Sequence, residues 1–349
     1  MTLSLSSDAT AVTITPRGPL SAALLEVLAE RAPEQAESLP QLARDAVLVE
    51  DPITDDDVQL SLFLLYCLAY GSLPQFGAQW EWDVSLLTAR AILERAFEDA
   101  VRAAVPLPEA PQPTREEVAA ALFALAAPQP GPSLSHFVSR KADVDQAREL
   151  LMHRSIYTLR EADAHSWAIP RLTGRAKAAL IEIQADEYGG GRVERMHQVM
   201  FADAMRGAGL DDTYGAYVDA VPAITFASFN LMTMFALNRR LQGAVVGHLA
   251  AFEMTSSLPS RAIAEGLRRL GFGDDVAAYY DEHVEADAVH EQIAARDLAG
   301  SQAEDAPELL DDILFGAAAC LTIDGWASEY ILHAWEVGRS SLRDERQPA

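Results

Sequence analysis

At 349 residues the chain is long enough for one large or two modest domains, and half of it is hydrophobic while aromatics make up only 7%. Alanine and leucine dominate, as they do in helices, so the predicted fold class is all-α. Acidic residues outnumber basic ones 52 to 27, a net charge of −25 with no Lys/Arg cluster, which excludes nucleic acid and anionic membrane surfaces as partners.

Residues 1–18 are polar and read as a flexible tail. The opening "MTLSLSSDATAVTITPRGP" lacks the basic region and apolar core of a secretory signal. Residues 19–127 form a helical N-terminal extension: "DVQLSLFLLYCLAYG" and "DVSLLTARAILERAFEDAVRAAV" carry helical periodicity and open after aspartates that suit a helix start. Two proline-rich stretches, 106–113 and 127–133, bracket a short helix at 114–126, and a Pro/Gly linker at 128–135 marks the domain boundary. The uncharged runs 58–80, 118–139 and 220–238 each contain proline or polar side chains and read as buried helices and loops, not membrane spans. Cys67 and Cys320 stand singly and far apart, which suggests neither a disulfide framework nor a cysteine zinc site and fits the reducing cytoplasm.

Residues 136–341 form the second unit, with helices expected at 136–168, 172–188, 192–207, 212–238, 242–257, 259–271, 274–298 and 306–341. "YGGGR" at 188–192 interrupts them as a mobile break, since each glycine costs about 1 kcal/mol inside a helix. A frayed tail is expected at the end, residues 342–349.

The chemistry concentrates in "EHVEADAVHEQ". His283, Asp287 and His290 follow i, i+4, i+7 spacing and fall within about 60° of one another on one helix face. Imidazole with carboxylate suits iron, manganese or zinc, and without thiolates a soft-metal site is disfavoured. A solvated acidic helix with incidental histidines accounts for the triplet equally well, given Asp281, Glu282, Glu285 and Glu291. Glu253 lies in the apolar run "VVGHLAAFEMTSS", where an unpaired carboxylate is costly and either a metal or a partner such as His248 or Arg261 is required. Glu161 and His197 sit on amphipathic segments whose inward or outward facing the pattern leaves open. No zincin spacing, G-x-G-x-x-G or G-x-S-x-G occurs, so zinc hydrolysis, dinucleotide cofactors and a serine-hydrolase elbow lack support.

From about residue 142 to 298 the chain resembles the haem-oxygenase-like diiron oxidases, the iron-containing redox enzymes, whose ligands run Glu, Glu, His, Glu, then H-x3-D-x2-H. The matching positions are Glu161, Glu187, His197, Glu253, His283, Asp287 and His290. The resemblance implies a haem-oxygenase-like helical bundle preceded by its helical extension, which helps some members dimerise and so implies a homodimer. It also implies two Fe(II) ions, with manganese open as the second metal, and an O2-activating oxidase that works through a peroxo-diferric intermediate on a small organic substrate with an external reductant. Glu187, the additional carboxylate, is most similar to members that oxygenate nitrogen, which implies N-oxygenation of an amine or amino acid. C–C cleavage of an amino acid or fatty acid is the alternative within the family. The four carboxylates of this set balance the charge of two ferrous ions, a condition for burying the cluster. Two further readings stand beside it: a ferritin-like centre using Glu194-x-x-His197, and a non-catalytic helical metal carrier or scaffold.

Overall fold

Side chains at helix starts decide where the elements begin. The computed structural model describes residues 12–128 and 131–343, and the side chains of 285–288 lie outside the described set. The extension folds into α1 (Pro19–Leu28), α2 (Leu39–Ala46), α3 (Asp56–Tyr70), α4 (Val84–Ala104) and α5 (Arg115–Leu125). Asp55 accepts from the Val58 amide, Asp83 from Ser85 and Leu86, and Thr114 from Glu117, each satisfying amides that the first helical turn leaves over.

The second unit contains α6 (Leu134–Arg140), α7 (Val144–Thr158), α8 (Asp163–Ser166), α9 (Gly174–Glu187), α10 (His197–Gly207), α11 (Ala223–Leu237) and α12 (Gln242–Met254). It continues with α13 (Ser257–Arg269), α14 (Asp274–Gln292), α15 (Ser301–Asp305) and α16 (Leu310–Glu336). Among the described residues there is no strand, and the fold is all-α. None of the described helices is long and apolar enough to cross a membrane. Directly after α14 the chain winds on as a π-helix, Ile293–Gly300, a form that often accompanies functional sites.

Several boundaries differ from the periodicity. The helix expected at 136–168 is three, because Asp143 and Gln146 form a capping box that restarts the chain, and Ala162 adopts a left-handed φ of 73°. The stretch expected to be helical from 212 begins only at Ala223, after Pro222. The end of the segment expected to be loose at 1–18, and the residue just before the expected frayed tail, are both anchored. Arg17 is buried and donates to the Val218 and Val221 carbonyls, and Ser341 is buried against Glu149.

One apolar cluster runs through extension and bundle together. Phe63 of α3 packs on Phe226 and Phe229 of α11, with ring centroids 4.9 and 5.5 Å away. Helices α12 and α16 cross backbone against backbone: a Cβ at Gly247 would overlap the Ile313 carbonyl oxygen, and one at Gly316 the Ala244 carbonyl. A second cluster, including Leu151, Phe201, Leu267, Val276 and Trp335, seats α7, α10, α13 and α14 against one another. These two packings orient the helix ends that carry the chemistry.

Candidate metal centre

Four of the expected residues sit at helix ends. Glu161 lies in the turn after α7, just before the left-handed Ala162, and Glu187 is the last residue of α9. His197 is the first residue of α10, and Glu253 stands one residue from the end of α12. Glu161 and His197 were expected within amphipathic helices; a turn and a helix start carry them instead. Only the 283/287/290 stripe comes from mid-helix, on α14.

The glycine break is a shaped turn. Gly189, Gly190 and Gly191 take φ of 66°, 60° and 80°, and a Cβ on Gly189 would meet the backbone of Arg195 and Met196. The reversal brings the end of α9 and the start of α10 together, with His197 Nδ1 2.9 Å from Glu187 Oε2.

Six of the seven residues converge in two groups. Glu161, Glu187, His197 and His283 offer ligand atoms within 4.8 Å of one another, and so do Glu187, Glu253 and His290. Glu187 belongs to both. An ion about 2.1 Å from each ligand separates opposite ligands by about 4.2 Å, so either group closes on a first-row ion with small adjustments. All six side chains are buried. Glu161 Oε2 is buried without a hydrogen-bond partner among the described residues, the condition in which a carboxylate oxygen gains most from a cation. The seventh, Asp287, lies on the same helix, but its side chain is outside the described set.

Glu194 is exposed in a short 3-10 turn and belongs to neither group, so the ferritin-like E-x-x-H pairing is not formed. Nor does His248 or Arg261 serve Glu253. Its histidine is His290, whose Nδ1 is 3.3 Å from Glu253 Oε2, while His248 pairs with His165 at 3.2 Å.

Electrostatics divides the carboxylates. Burial works to raise Glu187, but the His197 contact and the charges of His197, His283 and His290 overcome it and leave its carboxyl below the usual range. Burial raises Glu253, and His290 offsets this only in part. Burial also opposes the charge on His290, yet Glu253, Asp186 and Glu187 together lift it to about 9. His197 is raised in the same way, Glu187 outweighing burial. Burial lowers His165 to about 4, with the Glu187 charge opposing it only in part, and burial together with His165 lowers His248.

Two supporting residues escaped the sequence reading. Tyr279 donates its hydroxyl to Glu161 Oε1 at 2.8 Å, and its carbonyl lies 2.7 Å from His283 Nδ1, leaving Nε2 directed at Glu161, 3.4 Å away. Tyr279 is one turn before His283, so extending the α14 stripe backwards would have found it. Asp186 lies 3.1 Å from His290 Nε2, which aims Nδ1 at Glu187 and Glu253. Its partner is 104 positions away, so no local pattern points to it. Such partners fix the tautomer and angle of an imidazole ligand.

A helical fold enclosing two buried carboxylate–histidine groups with a shared glutamate defines a class of metal-dependent redox proteins built between helices. The chain belongs to the iron-containing redox enzyme family, whose model matches residues 148–325, about half of the chain, a span within which the seven expected positions lie. It is an oxidoreductase. No curated protein matches the chain.

Proposed function

We propose that this enzyme is a non-haem diiron oxygenase that uses O2 to N-oxygenate an amine or amino acid. The observation that carries the proposal is the sharing of Glu187 by two buried ligand groups. Glu161, His197 and His283 with Glu187 would hold one iron, and Glu253 and His290 with Glu187 the other, with Asp287 proposed as the remaining carboxylate. Bound iron would supply oxygen activation and electron transfer that side chains cannot.

The protein's own part is orientation and exclusion of water. Tyr279 holds Glu161 and, through its carbonyl, His283; Asp186 holds His290. Phe252 and Leu249 supply apolar wall to the small chamber that Glu161, Glu187 and Glu253 line. In balance, an amine, O2, two electrons from an external reductant and two protons give a hydroxylamine and water. Glu187 supports nitrogen chemistry over C–C cleavage.

Anaerobic iron titration followed by oxygen tests the proposal. Two irons per chain and oxygen uptake coupled to hydroxylamine formation are expected, and His290→Ala should lose the second iron. A chain that binds no iron and consumes no oxygen refutes it, and a shortened, decarboxylated product assigns C–C cleavage instead.

A further inference from the structure

Glu161 projects from a turn whose next residue takes a backbone conformation that side-chain-bearing residues rarely adopt. Ala162 is left-handed at φ 73°, and only Glu30 among the other described non-glycine residues shares a positive φ. Such a conformation persists where surrounding groups hold it in place.

Two side chains at the end of α9 hold this turn. Gln184 is buried, and its Nε2 donates to the Ala162 carbonyl at 2.8 Å and to the Ser166 hydroxyl at 2.6 Å. Because a carbonyl can only accept, the Ala162 contact fixes which end of the amide faces the turn. Tyr188 donates to Asp163 Oδ1 at 2.9 Å and lies 3.1 Å from the Ser166 hydroxyl. With the tyrosine proton committed to Asp163, Ser166 donates to Tyr188 and accepts from Gln184, so the bonds run in one direction and end on a carboxylate.

The network starts and ends beside two of the proposed ligands. Gln184 and Tyr188 flank Glu187, and Gln184 shares its face of α9, while Ala162, Asp163 and Ser166 follow directly on Glu161. Gln184 also lines the small chamber that Glu161 and Glu187 line. Its amide oxygen is buried with no hydrogen-bond partner among the described residues. An apolar side chain of the same length would avoid that cost if the position served packing alone, so the donor end is what the position uses.

We propose that Gln184 is a positioning residue that sets the separation of Glu161 from Glu187, with Tyr188 as a second tie. The inference rests on the metal-centre reading of these carboxylates. Tyr279 holds the Glu161 carboxylate itself, whereas Gln184 holds the backbone from which it projects. A turn free to relax to right-handed backbone would carry Glu161 away from His197 and His283.

The test is a double-mutant cycle read by anaerobic Fe(II) binding against a competing chelator, with amide hydrogen exchange of the metal-free protein as a readout that needs no metal. Gln184→Met keeps the length and removes both donors, and Glu161→Gln marks the ion that Glu161 serves. Gln184→Met is expected to weaken one of two ions by about 10–100-fold, the one most weakened by Glu161→Gln, and to leave the other within about threefold. In the Glu161→Gln background, Gln184→Met should change iron binding by less than about threefold, because the carboxylate it positions is already gone. Tyr188→Phe should weaken the same ion by a smaller factor. In the metal-free protein the amides of Asp163, Ser166 and Trp167, which bond within the turn, should exchange faster in Gln184→Met while those of α16 keep their protection. Wild-type affinity for both ions, equal weakening of both, or effects of Gln184→Met and Glu161→Gln that add in the double variant overturn the proposal, since each is what a residue of purely structural importance gives. Should the wild-type protein bind no Fe(II), the metal-centre reading falls and exchange decides alone: faster exchange confined to this turn upholds the tie, and unchanged exchange overturns it.

Discussion

Replacing Glu187 or Glu253 by glutamine should impair the metal centre to different extents and change the stability of the metal-free protein by different amounts. Both carboxylates are buried and both face histidines, Glu187 at 2.9 Å from His197 and Glu253 at 3.3 Å from His290. Glu187 is held below the usual carboxylate range despite burial, so its charge is a net stabilising feature of the fold. Removing one partner of a buried charged pair costs about 3–5 kcal/mol, and the amide oxygen of glutamine, still able to accept from His197, reduces that to about 1–3 kcal/mol. Glu253 is raised by burial, so the fold resists its ionised form, and Glu253→Gln should lie within about 1 kcal/mol of wild type or be slightly stabilising. Denaturant unfolding in chelator at pH 7 reads the stability, and iron titration reads the site. Glu187→Gln is expected to disturb both irons because it belongs to both groups, and Glu253→Gln chiefly one. Loading of two irons by Glu187→Gln with wild-type affinity, or equal destabilisation by the two variants, would refute the shared-ligand reasoning.

Other expectations follow from the same coordinates. Tyr279→Phe removes the donor to Glu161 Oε1 and should weaken metal binding by about 10–100-fold in competitive titration, with about 1 kcal/mol lost in unfolding. Asp186→Asn, which alters the partner of His290 Nε2 on a largely exposed side chain, should lower metal affinity while leaving the melting temperature nearly unchanged. Gly247→Ala places a methyl group against the Ile313 carbonyl where α12 and α16 cross, and should cost about 1–3 kcal/mol or more, read by thermal melting. Acid should destabilise the fold through its neutral histidines. His153 and His165 are lowered by burial from 6.5 to about 4, so the unfolded chain takes up protons first, and the stability they contribute is full above about pH 6.5 and is lost as pH falls toward 4. Each corresponds to about 3 kcal/mol, and denaturation midpoints that stay flat across that window would contradict it.

Helix content, the cap at Asp83, the face shared by His283 and His290, and the ordered set of ligand-type residues were all legible before any coordinates, because helix formation is governed by groups within four residues of one another. The resemblance named the expected ligands but not their geometry. That Glu187 lies in both groups, that Glu194 faces solvent, and that Glu253 meets His290 and not His248 depend on how α9, α10, α12 and α14 pack. Asp186 carries no local sign of its contact with His290, since its partner lies 104 positions away. Periodicity assigns a side chain to a face of its own helix. Which buried carboxylate meets which imidazole is decided by close packing of distant segments, such as the glycine-mediated contact of α12 with α16 and the left-handed turn between α9 and α10.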